Sequence, residues 1–237
     1  MLFLIGMKFD KFNDKWYSVN MDTNNDSTYF VSVKKKLKKN GRLFSNREKI
    51  FYLLNKNKGY LTTKEITENK IARDYLRWLV DYGEIRNVER GIYVGRETKE
   101  DVYYTYALRF PKIVYSHMTS LYLQGFISKE PEFIQMTCVN NVYADGFYRF
   151  DMFYIKREWY EIGLKEIEDK DGYLIKVYDL ERTIIDIIRS YKRFDIKQVK
   201  RIINKYLSSE NKNIDLLLTY AEEMNIYDDI VKFMNLK

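Results

Sequence analysis

Three cationic side chains, Lys70, Arg73 and Arg77, are spaced i, i+3 and i+7 along the chain. In an α-helix this spacing places them on one face, opposite an apolar face that contains Leu76 and Leu79. Arginine is well shaped to donate two hydrogen bonds to guanine, a contact worth roughly 1–3 kcal/mol of discrimination between bases. The pattern predicts a helix face that reads DNA in the major groove. The alternative is an ordinary solvated helix surface.

Other polar side chains near this segment are candidates for contacts with the DNA backbone. Around the start of the preceding helix, the candidates for phosphate binding are Lys58, Thr62, Thr63 and Lys64. On the hairpin that follows, Arg86, Asn87 and Arg90 could contact phosphates or the minor groove. Contacts of this kind hold a protein in register on the duplex but do not read its sequence.

A second group of cations falls on one face of a predicted helix near the end of the chain. Its members are Lys197, Lys200, Arg201 and Lys205. A solvated face is the ordinary explanation for such a stripe on an amphipathic helix. The alternative is a secondary basic surface that contacts DNA or RNA, and the sequence leaves both explanations open.

Three carboxylates, Asp179, Glu181 and Asp186, could serve as acid–base groups or bind Mg²⁺ in a nuclease. Asp179 is better explained as the N-cap of a helix, and Asp186 as the partner of Arg182 in an i, i+4 ion pair. The sequence therefore predicts no catalytic residues and a protein that is not an enzyme. A metal-dependent nuclease is the least favoured alternative.

The chain contains one histidine, His117, and one cysteine, Cys138. This composition excludes an internal disulfide and any zinc site built from several cysteine or histidine ligands. A Ser-His-Asp triad would depend on His117 alone, and the sequence has no nucleophile elbow. We therefore predict no metal and no cofactor, with His117 packed or capping at a helix start and Cys138 in the core.

The composition is that of a folded protein with a basic surface. Of the 237 residues, 46% are hydrophobic and 16% are aromatic, which argues against a disordered chain. The formal net charge of +7 favours an anionic partner such as nucleic acid. The sequence has no apolar run of transmembrane length, and its opening run lacks the basic start of a secretory signal. We therefore expect a cytoplasmic protein without a membrane partner.

The elements predicted for residues 44–95 follow the plan of a winged helix-turn-helix DNA-binding domain. Three helices and a hairpin are expected, in this order, over about residues 45–57, 62–66, 72–82 and 84–94. Ser45 with Glu48 and Thr62 with Glu65 form capping boxes, which mark the starts of the first two helices. Three helices followed by a hairpin within about fifty residues is the order of elements of that domain class.

Residues 96–237 are predicted to form a larger mixed α/β domain that ends in helices. The expected strands are residues 133–139, 147–155 and 173–177, and the expected helices are residues 101–109, 119–123, 195–207, 213–224 and 228–234. A further long helix follows Asp179 and carries Leu180, Ile184, Ile187 and Ile188 on one face, which predicts a buried stripe. The predicted fold class of the whole chain is α+β.

Residues 1–43 are predicted to form a basic, loosely structured leader. The polar stretch 20–27 has neither a helical nor a strand period, and the dense positive run of residues 34–39 follows it. This run is either simply solvated or a basic arm that touches DNA phosphates. The sequence leaves both interpretations open.

Three segments resemble motifs of the AbiEi-type antitoxins of abortive-infection type IV toxin–antitoxin systems. Residues 116–125 are similar to the family's S-H-x-[ST]-A-L-x-L-x-G element, and residues 177–186 to its V-Y-D-x-E-R-T-[IL]-x-D element. The predicted wing turn, residues 89–93, is also similar to that of the family. Two positions depart from the pattern, Ser120 where Ala is usual and Gln124 where His is common. The first protein of AbiG systems is a close relative that the sequence does not separate.

The resemblance implies a transcriptional autorepressor that takes part in phage defence. In this family the winged helix binds double-stranded DNA at inverted repeats upstream of its own operon, and the C-terminal domain shares in repression and counteracts the toxin. The partner toxin would be a nucleotidyltransferase, antagonised without a stable protein–protein complex. The residues leave open an alternative from another class, a non-catalytic interaction module that docks a partner protein through the helix-turn-helix unit.

Overall fold

The computed structural model of the chain describes residues 45–139 and 150–235. The chain divides into two compact units, residues 1–52 and residues 53–237. The predicted leader, residues 1–43, lies outside the described residues, as does the start of the strand predicted to begin at residue 147. The described residues combine helices with two β-sheets, which confirms the α+β class.

The first group of elements consists of three helices and a three-stranded sheet. In chain order these are α1 Asn46–Lys56, β1 Tyr60–Thr62, α2 Thr63–Glu68, α3 Asp74–Asp81, β2 Ile85–Glu89 and β3 Ile92–Gly95. The strands lie in the order β1-β3-β2, and both pairs are antiparallel. The three predicted helices and the predicted hairpin are confirmed. The three-residue strand β1 is an addition that the sequence pattern does not predict.

Both predicted capping boxes are present, and they explain where α1 and α2 begin. The Ser45 N–H donates to Glu48 Oε2 at 2.7 Å, and the Glu48 N–H donates to Ser45 Oγ at 3.3 Å. At α2, the Glu65 N–H donates to Thr62 Oγ1 at 3.2 Å, and the Thr62 N–H donates to Glu65 Oε2 at 2.9 Å. Each box satisfies N–H groups that the first turn of a helix leaves unpaired.

The ends of α1 and α2 place a lysine, rather than a glycine, in the left-handed position that follows the helix. Lys58 has a φ of 51° and Lys70 a φ of 55°. After α2, the Ile71 N–H donates to the Ile66 carbonyl at 3.0 Å and the Lys70 N–H to the Thr67 carbonyl at 3.1 Å. These two bonds form a Schellman motif, which ends the helix and turns the chain towards α3.

The larger sheet has five strands and combines parallel with antiparallel pairs. Its elements, with two helices, are α4 Val102–Arg109, β4 Val114–Tyr115, α5 His117–Leu123, β5 Ile134–Val139, β6 Phe150–Ile155, β7 Leu164–Glu168 and β8 Leu174–Tyr178. The strand order is β6-β5-β4-β8-β7, with β5–β6 and β4–β8 parallel and the other two pairs antiparallel. The predicted strands are confirmed as β5, β6 and β8. The two-residue β4 and the largely exposed β7 are additions.

Four helices close the chain and enclose an apolar core. They are α6 Leu180–Arg189, α7 Ile196–Leu207, α8 Ile214–Glu223 and α9 Tyr227–Met234. The predicted buried stripe on α6 is confirmed, since Ile184, Ile187 and Ile188 are buried and Leu180 packs against them. No helix among the described residues has both the length and the apolar composition that a membrane crossing requires.

A cluster of aromatic side chains joins the two groups of elements within residues 53–237. Tyr60 of β1 meets Tyr104 of α4 and Tyr173 edge-to-face, with ring centroids 4.9 and 5.2 Å apart. The Asp101 N–H donates to the Tyr60 hydroxyl oxygen at 2.7 Å. The small sheet and the larger one therefore share a core across residue 95, and the predicted domain boundary at that residue stays a prediction.

Candidate nucleic-acid interface

Helix α3 packs on the core through an apolar face and presents its opposite face to solvent. Leu76 and Leu79 are buried, with 3% and 0% of their surface exposed. Gly83 follows the C-cap residue Tyr82, and its φ of 68° fits the left-handed position after a helix. Arg77 projects away from the buried pair and is exposed. The outward face of α3 is thus open to a partner.

The three cations that the sequence assigns to one helix face do not share a helix. Lys70 occupies the turn after α2, Arg73 is the N-cap residue of α3, and Arg77 lies within α3. The predicted common face is therefore wrong for Lys70, because the Schellman motif places this residue in the turn before α3, which begins at Asp74. All three side chains are nevertheless exposed, so they still border one accessible surface.

Four of the predicted cations remain available to a ligand. Within residues 45–139 and 150–235, the side chains of Lys70, Arg77 and Arg90 have neither a hydrogen-bond nor an ion-pair partner. Arg73 Nη2 donates to Thr67 Oγ1 at 3.3 Å, a long contact at an exposed position. Such a contact is easily exchanged for one to a phosphate or a base, since charged donors prefer charged acceptors.

Lys58 and Lys64 differ in how far they are engaged. Lys58 Nζ donates to the Gly172 carbonyl, and the Tyr173 hydroxyl donates to the Lys58 carbonyl at 3.0 Å. Lys58 is therefore directed at the turn between β7 and β8 rather than at solvent near α2. Lys64 is exposed, and its Nζ lies 3.9 Å from Glu68 Oε1, a surface pair of little strength.

Thr62 and Thr63 build the junction between α2 and the hairpin. The Thr62 hydroxyl is part of the capping box and also donates to Glu65 Oε2 at 2.9 Å. The Thr63 N–H donates to the Gly91 carbonyl at 2.9 Å. A methyl group at position 91 would lie only 2.8 Å from Thr63 Oγ1, and the backbone of Gly91 has a φ of 78°. Both the close approach and the left-handed backbone therefore require glycine. Both threonines are held by structural contacts.

Two of the predicted hairpin residues also have structural partners. Arg86 Nη2 donates to the Thr98 carbonyl at 2.7 Å. Asn87 Nδ2 donates to the Glu89 carbonyl at 2.8 Å and to the Ile92 carbonyl at 3.0 Å, which braces the hairpin. Among the three predicted hairpin residues, the arginine at the turn is the one whose side chain stays free of the described residues.

An aromatic ladder on α3 is the feature that sequence reasoning missed. Tyr75, Trp78 and Tyr82 follow one another at i, i+3 and i+7, with ring centroids 5.5 Å apart in the first pair and 4.4 Å in the second. Trp78 is 39% exposed and Tyr82 is 67% exposed. The exposed carboxylates Asp74 and Asp81 lie on the same outward side. The i, i+3, i+7 spacing of the rings is the signal in the sequence that indicates this ladder.

The four cations assigned to a secondary basic surface lie on α7. Val199, Ile202, Ile203 and Tyr206 form the buried face of the helix. On the opposite face, the exposed cations are Lys197, Lys200, Arg201 and Lys205. Lys205 Nζ donates to the Phe126 carbonyl and lies 4.8 Å from the centre of that ring, so it is partly engaged.

The three candidate acid–base carboxylates have structural partners. Asp179 Oδ1 accepts from the Arg182 N–H at 2.9 Å, which confirms the N-cap, and burial raises the pKa of this carboxyl. Arg182 Nε lies 3.2 Å from Asp186 Oδ2 with both side chains fully buried, which confirms the i, i+4 pair. Glu181 Oε1 accepts from the Asn213 N–H at 3.0 Å. The statement that the chain is not an enzyme stays a prediction.

His117 and Cys138 are buried, as the sequence predicts. His117 is the first residue of α5, has a φ of 51°, and lies with Nδ1 2.9 Å from Ser116 Oγ. Its ring stacks on Phe153 with centroids 3.5 Å apart. Burial lowers the pKa of His117 to about 3, so the imidazole is neutral at neutral pH. Full burial keeps the ring from meeting a substrate in this arrangement.

The two sheets and their helices define an α+β protein, and comparison with known proteins extends this at the level of fold. The chain is similar to the protein in the crystal structure of RV2827C from Mycobacterium tuberculosis, with a TM-score of 0.52 and 12% sequence identity. The match covers 79% of this chain and 78% of that chain. No protein-family model and no curated protein matches the sequence. At 12% identity the similarity concerns the fold alone.

Proposed function

We propose that residues 46–95 form a winged helix-turn-helix that binds double-stranded DNA. In this assignment α2 and α3 are the helix-turn-helix pair, and the β2–β3 hairpin is the wing. The second helix of such a pair lies in the major groove, with its N-terminal residues at the base edges. The observation that carries the proposal is that Arg73 and Arg77, at the start of α3, are exposed although residues 53–237 form one compact unit.

The cations around α3 would supply the affinity for the DNA backbone. Lys64 on α2, Lys70 in the turn and Arg90 at the wing are exposed and border α3 in the chain. Each cation that neutralises a phosphate releases condensed counterions, which gives sequence-independent affinity that falls with salt. The formal net charge of +7 adds a long-range attraction to the duplex.

We propose further that the DNA is the region upstream of the gene itself, and that the chain is the autorepressor and antitoxin of a phage-defence system. Support comes from two motifs, residues 116–125 and 177–186, which meet in one buried junction. Ser120 Oγ donates to the Tyr178 carbonyl at 2.7 Å, and Thr183 Oγ1 lies 3.1 Å from Ser120 Oγ. The toxin that this chain would counteract is a nucleotidyltransferase, and the two proteins would form no stable complex.

A gel-shift titration of the full chain on the upstream DNA, across a salt series, tests the DNA-binding proposal. The logarithm of the binding constant should fall by about 0.9 for each tenfold rise in salt, per phosphate contacted. The double variant Arg73→Ala/Arg77→Ala should lose at least about tenfold in affinity for the specific site and keep weak nonspecific binding.

The matched control removes two exposed cations outside the candidate interfaces instead. Lys129→Ala/Lys232→Ala changes the net charge by the same amount, so any loss from long-range attraction alone should be equal in the two double variants. Equal losses on specific DNA would contradict the assignment of α3 as the reading helix. Far-ultraviolet circular dichroism should show both variants folded, since all four side chains are exposed.

The antitoxin part has its own experiment. Co-expression with the nucleotidyltransferase encoded in the adjoining reading frame should restore growth, and affinity purification of the tagged chain should recover no toxin. Restored growth by the Arg73→Ala/Arg77→Ala variant would separate antitoxin activity from DNA binding. Failure to relieve toxicity would contradict this part while leaving the DNA-binding result intact.

A protein-docking role for the same unit is the second candidate, and the outward face of α3 favours it in one respect. That face carries two carboxylates, Asp74 and Asp81, beside the exposed Trp78. Aromatic side chains are enriched at the centres of protein interfaces. The salt series separates the two roles, because docking through an aromatic centre should depend on salt far less steeply than binding to phosphates.

A further inference from the structure

Trp78 exposes 39% of its surface, so its indole ring can contact a ligand. It lies on the outward face of α3 next to Arg77, opposite the buried Leu76 and Leu79. The flanking rings of Tyr75 and Tyr82 hold the indole from two sides, at centroid distances of 5.5 and 4.4 Å. A ring braced in this way loses little conformational entropy when a ligand packs against it.

The charges near Trp78 limit where a DNA partner could touch this face. Asp74 and Asp81 lie on the same outward side and would repel phosphates. Of the cations without a partner among the described residues, Lys70 lies before the helix, Arg90 lies on the wing, and Arg77 lies on the helix beside Trp78. Phosphates are thus drawn to the borders of the surface, and its centre is left to the base edges.

Base edges in the major groove offer one apolar group, the C5-methyl of thymine. We propose that Trp78, braced by Tyr75 and Tyr82, packs on a thymine methyl and makes that thymine a required base of the binding site. The inference rests on the proposed function, because it needs α3 in a major groove. The occupant of the aromatic ladder is therefore duplex DNA rather than a second copy of the chain, whose own Asp74 and Asp81 would meet the same carboxylates.

The test begins with a duplex selected from a random-sequence pool by binding to the full chain. Each thymine of the selected site is then replaced in turn by deoxyuridine, which removes the methyl group and keeps the base pair. Wild-type protein should bind about fourfold more weakly when the methyl that Trp78 contacts is lost, the loss expected for one buried methyl-sized group.

Trp78→Ala should bind the selected duplex more weakly and should show no further loss on that same replacement. The matched control is Tyr154→Ala, which removes an aromatic ring of similar exposure (51%) from β6. This control should retain the wild-type affinity and the wild-type sensitivity to the methyl. Trp78→Phe should recover part of both, because a phenyl ring can still pack on the methyl.

The outcomes separate the inference from the proposed function. If no duplex is enriched from the pool, the DNA-binding proposal fails and this inference fails with it. If a duplex is enriched but no thymine is sensitive, or Trp78→Ala keeps the wild-type sensitivity, the inference is overturned and DNA binding stands. Loss of self-association in Trp78→Ala, measured by sedimentation with methyl sensitivity unchanged, would also overturn it and assign the ladder to a contact between copies.

Discussion

His117 should make the folded chain sensitive to acid, because it is buried without a charge. Burial lowers its pKa to about 3, against about 6.5 for an exposed histidine. Asp186 acts in the opposite sense and favours the protonated ring, whereas three guanidinium groups add to the lowering of the pKa. These cations are Arg189, Arg193 and Arg182.

The size of the effect follows from the two pKa values. Between about pH 6.5 and about pH 3 the unfolded chain binds a proton at this histidine that the folded chain does not, so the free energy of unfolding falls as the pH falls. From about pH 7.5 to about pH 5.5 the loss from this one group is about 1.4 kcal/mol. The chain has no other histidine, so no second imidazole titrates in this window.

The variant His117→Asn isolates this contribution. Asparagine does not titrate, and it tolerates the left-handed backbone that the φ of 51° requires. Urea unfolding followed by circular dichroism, at both pH values, should show that the wild type loses about 1.4 kcal/mol more than the variant. Asp101 and Asp179, whose pKa values burial raises, are present in both proteins and cancel in the difference.

An equal pH dependence in the two proteins would refute this reasoning. It would mean that the folded chain takes up the proton as readily as the unfolded one, so that His117 is reached by water. The variant will be less stable overall, because it loses the stack on Phe153. That loss does not depend on pH and leaves the comparison intact.

Two further substitutions test the α6 ion pair and the turn before α3. Arg182→Met should cost up to about 3–5 kcal/mol in urea unfolding, because it removes one of the two cations that pair with the buried Asp186 and leaves Arg189 as the other. Adding Asp186→Leu should recover part of the loss, and no recovery would show that the cost lies elsewhere. Lys70→Gly should raise the free energy of unfolding by roughly 1 kcal/mol, because glycine adopts the left-handed backbone without the strain that lysine has there. It should also lower the slope of the logarithm of the DNA-binding constant against the logarithm of the salt concentration by about 0.9. A variant that is stabilised with an unchanged salt slope would remove Lys70 from the DNA interface.

Local signals predict much of this fold because they act within one turn of chain. The capping boxes at Thr62 and Ser45 mark helix starts that the structure confirms, and the stripe on α6 is buried as its spacing indicates. Local signals do not predict the strands β1, β4 and β7. They are short or largely exposed, and their place in a sheet is set by partners distant in the chain, such as Val177 beside Tyr115.

The candidate site is harder to predict than the fold, since availability depends on contacts that sequence spacing does not contain. Lys58 looks like the other cations around α2, yet its ammonium is bound to the carbonyl of Gly172, 114 residues away. The Arg86 guanidinium likewise donates to the Thr98 carbonyl. Residue type predicted which side chains could bind phosphate, and tertiary contacts decide which remain free to do so.

The position of Lys70 shows how one local conflict reshapes the site. A helix that began at Lys70 would put this residue one turn before Arg73 on a common face, but the turn after α2 needs a left-handed residue, and the chain supplies a lysine there. The cation is thereby moved off the helix and the ladder of Tyr75, Trp78 and Tyr82 takes the outward side. A reading helix built in this way adds an aromatic centre to the base contacts of Arg73 and Arg77 and takes further charge from its borders. Removing one aromatic ring should then change which sequence is bound, whereas removing the lysine should change only how tightly any duplex is held.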